Sequence, residues 1–175
     1  MIQLYSLMWI LAAFGACLGF IRGWNREIIG TAGIILGSFA LFQFDALIRG
    51  TLLLTFPREQ AFFIQLAVFL IIVFFAYQNR MFEPDRRDEN SIQSGILGGL
   101  VGFANGYLIG GAIWYFMDIN EYPFAPAVLA PASGSPSAES INAIPLVILS
   151  GGAGGSGDLL LVGVIVLFLI VLIVI

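Results

Sequence analysis

The stretch ILGGLVGFANGYLIGGAIWYFM, Ile96–Met117, carries glycine at every fourth position: Gly98, Gly102, Gly106 and Gly110. On an α-helix that spacing returns to nearly the same side, so one stripe of this helix has no side chains. A second helix can approach very closely along it. In lipid the hydrophobic effect does not drive helix against helix, and close main-chain contact through small residues is one of the main attractions left. The stretch therefore predicts a packing seam in a membrane bundle. It is a packing device, not a chemical one. Asn105 lies beside the ladder near mid-run, where an interhelical hydrogen bond of roughly 0.6 to 2 kcal/mol is its plain use.

Composition agrees with that reading. The 175 residues are 59% hydrophobic and 10% charged, with a mean hydropathy of +0.99, which places the chain among polytopic membrane proteins with no sizeable soluble domain. There is no Lys and no His; the basic residues are Arg22, Arg26, Arg49, Arg58, Arg80, Arg86 and Arg87. Without Lys, a Walker-type phosphate loop and Schiff-base chemistry are excluded. Without His, so are imidazole acid–base work, the common zinc sites and His-ligated haem. The single Cys17 permits no internal disulfide and reads as a small apolar residue inside a span. No cofactor, metal or nucleic acid partner is expected.

Five apolar windows approach the roughly 20 helical residues that cross a hydrocarbon core: Leu4–Ile21, Ile28–Phe44, Ala61–Gln78, Gly95–Met117 and Leu159–Ile175. The expected fold is an all-α integral membrane protein of about five transmembrane helices in a glycine-packed bundle. The first window lacks the basic start of a signal peptide and reads as a retained span. Between the first two windows lies RGWNRE, Arg22–Glu27, a tight turn. Gly23 suits the end of the first helix, Asn25 the cap of the second, and Glu27 its first turn; Arg22 suits the preceding C-terminus. Gly15 and Gly19 on the first span, and Gly33 and Gly37 on the second, add small-residue stripes, so three notched helices are expected to pack as one core. The third window has no glycine and reads as lipid-facing around much of its circumference.

Asp45–Glu59 is too short to span and is expected to lie along the interface. Asn79–Ser91 is a charge cluster of mixed sign, read as a solvated loop. Residues 118–157 form a Pro/Ala/Ser then Gly/Ser stretch with no basic residue, read as a flexible or partly extended linker in which INAIPLVILS, Ile141–Ser150, can dip into the interface. Three units follow: a membrane region over 1–117, the loop 118–157 and a final helix over 158–175. The first and third loops hold five arginines, the second two and the fourth none. The N-terminus and the 118–157 loop are then expected outside and the C-terminus in the cytoplasm. All ionisable residues fall at span ends or in loops, which argues against a transporter. No catalytic constellation is present within the spans.

The order LGFIRGWNREIIGTAGIILGSFAL, a glycine-free third span, then SGILGGLVGFANGYLIGG resembles the colicin V production protein (CvpA) family of bacterial inner-membrane proteins. The resemblance rests on Gly19, Arg22, Gly23, Arg26 and Glu27 in the first turn and on Gly98, Gly102 and Gly106 in the fourth span, and covers Leu4–Met117. It implies a non-enzymatic role in colicin V (toxin) production or export and in envelope maintenance. The long loop and fifth span depart from the family's four-span pattern. Two other readings stand beside it: an accessory subunit of a larger respiratory or photosynthetic membrane complex, and a small transporter or channel. Expected partners are membrane lipid and other membrane subunits or a second copy of the chain.

Overall fold

A single glycine divides the first two helices. In the computed structural model α1 runs Leu4–Arg22 and α2 runs Trp24–Gln43, with Gly23 between them at φ 82° and ψ 162°, a conformation that side-chain-bearing residues rarely adopt. The Gly23 N–H donates to the Gly19 carbonyl at 2.9 Å, closing α1. Asn25 does not cap α2, contrary to expectation. Gly23 turns the chain by itself, so the helix starts two residues earlier, with Gly23 at the cap position and no side-chain cap.

The structure describes residues 4–52, 54–78, 91–152 and 155–174, and every regular element among them is helical. After α2 come α3 (Asp45–Leu47) and a π-helical turn (Ile48–Leu52), then α4 (Arg58–Gln78) and the 29-residue α5 (Ser91–Ile119). The chain continues through α6 (Pro136–Ser140), a 3-10 turn (Ile141–Ala143), α7 (Pro145–Ser150) and α8 (Asp158–Val174). The charge cluster over 79–90 lies outside the described residues.

Among the described residues three helices are long and apolar enough to cross a membrane: α1, α4 and, in α5, Ile92–Ile119. Five windows were expected. The second is a full helix, but α2 also holds Asn25, Arg26, Glu27, Thr31, Ser38 and Gln43. The last, α8, has 17 residues. At 1.5 Å per residue it spans about 26 Å against a hydrocarbon core of about 30 Å.

Antiparallel α1 and α5 meet main chain to main chain. A methyl group placed on Gly15 would overlap the Gly102 carbonyl oxygen, and one on Gly19 the Gly98 carbonyl oxygen; Gly106 abuts Leu11 and Ala12, and Gly110 abuts Met8. The notches of α2 do not join this seam, contrary to the expected three-way core. Gly33 receives Ala76 and Gly37 receives Phe69 and Ile72, all from the glycine-free α4, while Gly30 lies against the Tyr77 ring. The reason is steric: a bulky helix packs most closely into a notched one. The inward face of α4 carries Phe62, Gln65, Phe69 and Val73, and Phe69 stacks edge-to-face on Phe116 of α5 at 5.5 Å. Phe63, Phe74 and Phe75 point outward and are exposed.

The 118–157 segment is more ordered than a linker. Proline opens both α6 and α7, a position where its missing N–H costs no hydrogen bond. Ser135 caps α6, accepting from the Ala138 N–H at 3.2 Å, and Gly151, left-handed at φ 94°, ends α7. Ile144, Pro145 and Leu146 are buried, with Pro145 seated on Gly111 of α5. The middle of INAIPLVILS thus goes into the core, while Ile148 stays exposed.

A candidate site around a buried carboxylate

Glu27 is 2% exposed. It sits on the first turn of α2, where its charge suits the helix dipole, yet its side chain turns inward among three helices. Its Oε2 accepts from the Tyr77 hydroxyl of α4 at 2.8 Å and from Asn105 Nδ2 of α5 at 2.8 Å. Asn105, 1% exposed, also donates to the Glu27 backbone carbonyl at 2.9 Å, while its Oδ1 accepts from the Thr31 hydroxyl at 2.7 Å. One turn separates Glu27 from Thr31, so both reach the same asparagine.

Two carboxylate oxygens share this environment unequally. Oε2 has its donors. Oε1 is buried and has no hydrogen-bond partner among the described residues. Arg22 Nη1 stands 3.8 Å from Oε1, an ion-pair distance beyond a direct hydrogen bond. Arg22 itself is 39% exposed and lies over the Tyr77 ring at 5.0 Å. A buried carboxylate stripped of water is costly unless donors and a countercharge surround it, and here both come from the turn and from two other helices.

A cleft of about 210 Å³ adjoins the cluster. Glu27, Arg22, Tyr77 and Asn105 form its polar end; Leu11, Phe14 and Leu18 of α1 and Ile109 of α5 are among its apolar walls, and the glycine seam at Gly15, Gly102 and Gly106 forms its floor. Among the described residues no three carboxylate or thiol side chains converge. The arrangement therefore offers hydrogen bonding and one negative charge next to an apolar space, rather than a chelating set.

Of the residues singled out in the sequence, the structure brings together Arg22, Glu27 and Asn105 with the α1–α5 glycines. Gly33 and Gly37 belong to the separate α2–α4 contact, and Arg26 is exposed. Sequence reasoning missed Thr31 and Tyr77. Thr31 was signalled by its position one turn after Glu27; Tyr77 was signalled only as the hydroxyl at the end of an apolar helix. A second buried polar group lies at the other end of the bundle. There Asn120 donates to Gln65 at 2.7 Å, and Gln65 donates to Asp45 at 3.4 Å.

No family model matches the chain, and no curated protein or solved structure matches it.

Proposed function

We propose that this is a non-enzymatic, multi-pass protein of a bacterial inner membrane. In this reading five spans form a glycine-packed bundle, with the N-terminus and the 118–157 segment outside and the C-terminus in the cytoplasm. Its role is the one implied by the resemblance to the colicin V production family: toxin production or export and envelope maintenance, exerted through contacts with other membrane subunits or with a second copy. The observation that carries the reading is the α1–α5 seam, where opposed glycines touch main chain to main chain. Such contact holds helices together without needing water outside. The apolar exterior, including Ile10, Ile21, Phe75 and Leu100, supports a lipid surround.

The test is complementation joined to native pull-down. Expression in a bacterium lacking its colicin V production protein should restore toxin production, and pull-down from intact membranes should recover stoichiometric partners or a second copy. Failure of complementation with the chain correctly inserted would remove the family role; partners drawn from an energy-converting complex would replace it with the accessory-subunit reading.

A second reading, a small transporter or channel, is favoured by one observation. Glu27 is an ionisable residue enclosed by helices beside a cleft, and in membranes such residues usually mark a pathway. Solute flux in vesicles that is lost in Asn105→Leu would favour it over the scaffold.

A further inference from the structure

Leu11, Phe14, Leu18 and Arg22 recur at helical spacing along one face of α1. With Tyr77 of α4 and Ile109 of α5 they line a groove whose rim residue, Phe14, is 59% exposed. Glu27 and Asn105 lie behind these side chains, buried, with their bonded polar atoms turned to each other and to Tyr77. An occupant of the groove therefore meets apolar walls until it reaches Arg22. That side chain is 39% exposed, stacks on the Tyr77 ring at 5.0 Å and stands 3.8 Å from Glu27. A guanidinium carries five N–H donors, and neither of these contacts takes one up in a hydrogen bond. The turn as a whole sets Arg22 and Arg26 against Glu27, one net positive charge.

Length decides between occupants. From Leu11 to Arg22 the groove follows α1 for about 16 Å at 1.5 Å per residue, and one leaflet is half of a hydrocarbon core of about 30 Å. It starts at a cation beside the α1–α2 turn and stays apolar for the depth of one leaflet. We propose that it binds an anionic phospholipid of that leaflet, the phosphate held by Arg22 and one acyl chain lying along Phe14, Leu18 and Ile109. An apolar cavity of about 150 Å³ is enough for benzene, so about 210 Å³ accepts a segment of one chain. A soluble anion would gain Arg22 and leave the apolar walls bare; a neutral hydrocarbon would cover the walls and forgo Arg22. Planar guanidinium donors suit a phosphate in particular. The inference rests on the membrane-spanning reading above and not on the toxin-related role.

The experiment uses the full chain in phosphatidylcholine nanodiscs doped with phosphatidylglycerol that carries a photoreactive acyl chain. Phosphatidylcholine with the same photoreactive chain is the matched control. The phosphatidylglycerol probe should label Leu11, Phe14, Leu18 or Ile109 about fivefold more than the control, the effect of one basic side chain on an anionic lipid. Salt near 1 M, which screens charges beyond about 3 Å, should shrink that ratio. Arg22→Gln should bring the ratio close to one, and Arg22→Lys should restore part of it. Leu18→Trp, which fills the groove and leaves Arg22 in place, should lower phosphatidylglycerol labelling of the groove at least fivefold. Where a variant does not fold, the wild-type ratio and its salt dependence decide. Equal labelling by the two probes in inserted wild type, or labelling unchanged in both Arg22→Gln and Leu18→Trp, overturns the proposal, as does a crosslinked second copy at the groove in place of lipid. A chain that does not enter the discs overturns the membrane reading itself, so the two failures are told apart.

Discussion

Replacing Gly102 by alanine tests the seam directly, and Gly99→Ala supplies the control from the same helix. A methyl group on Gly102 would overlap the Gly15 carbonyl oxygen and stand 2.8 Å from Gly19 Cα, whereas ordinary contact begins at 3.4 Å. The opposing atoms are main chain and cannot swing aside, so α1 and α5 must separate by about 0.6 Å or more. A radial gap of about 0.5–1 Å forfeits roughly a quarter to a half of each van der Waals contact along a seam. Overpacking of this kind costs about 1–3 kcal/mol. At Gly99 the nearest atom, the Ala16 carbonyl oxygen, is 3.4 Å away and nothing has to move. Both variants gain the same helix propensity, about 1 kcal/mol over glycine, so it cancels between them. Gly102→Ala should therefore be less stable than Gly99→Ala by about 1–3 kcal/mol, or roughly five- to 150-fold in the unfolding equilibrium. Reversible unfolding by SDS titration in mixed micelles, followed by tryptophan fluorescence, measures it. Equal midpoints for the two alanines would refute the assignment of Gly102 to a main-chain contact.

Asn105→Leu removes a donor from Glu27 Oε2 and one of the two acceptors of the Thr31 hydroxyl, and sets an apolar side chain against a buried carboxylate to which only Tyr77 still donates. It should cost about 3 kcal/mol in the same titration, and a loss under about 0.5 kcal/mol would show the cluster to be energetically idle. At the far end of α5, burial raises the Tyr122 phenol above its ordinary 10.0; the Trp114 N–H hydrogen bond partly offsets this, and the Asp118 charge adds to it. The folded chain then keeps a proton that the unfolded chain releases, so this stability is present below pH 10 and declines as pH rises beyond it. Tyr122→Phe should flatten that decline in a pH series of unfolding midpoints; an unchanged slope would disconnect Tyr122 from it. For topology, Ser135→Cys in a Cys17→Ala background should react with an impermeant thiol reagent on intact cells, and labelling only after lysis would invert the orientation.

Much of the helical order was legible from apolar length and from Gly23, whose freedom at positive φ is local chemistry. The pairing of helices was not. A glycine stripe advertises closeness without naming the partner, so Gly33 and Gly37 gave no sign that they would receive Ala76, Phe69 and Ile72. Composition also misled over 118–157. Proline and glycine there mark the starts and stops of short helices, Pro145 and Gly151 among them, around buried apolar residues. At the site, Glu27 read as a first-turn charge because its local role is satisfied in the turn. Tyr77 and Asn105 lie 50 and 78 residues away in sequence, and only the fold brings their donors to it.

A ladder of period four has a weakness that the carboxylate cluster answers. Sliding α5 along α1 by one ladder step, about 6 Å at 1.5 Å per residue, sets Gly98 against Gly15 and Gly102 against Leu11 and Ala12. Glycine again faces main chain, so the seam alone distinguishes the two registers poorly. Asn105 distinguishes them, because its amide reaches Glu27 and Thr31 only where it now stands. A buried polar residue that fixes register is the best-attested use of such groups. Spin labels at the exposed positions Ile10 and Leu100, in a Cys17→Ala background, can read the register. The parent should give one distance distribution, and Asn105→Leu should add a second population in which α5 has slipped by a ladder step. A single distribution at the parent distance in the leucine variant would mean that Asn105 does not set the register, leaving it to the glycine contacts and to the Asn120–Gln65 and Phe69–Phe116 contacts further along α5.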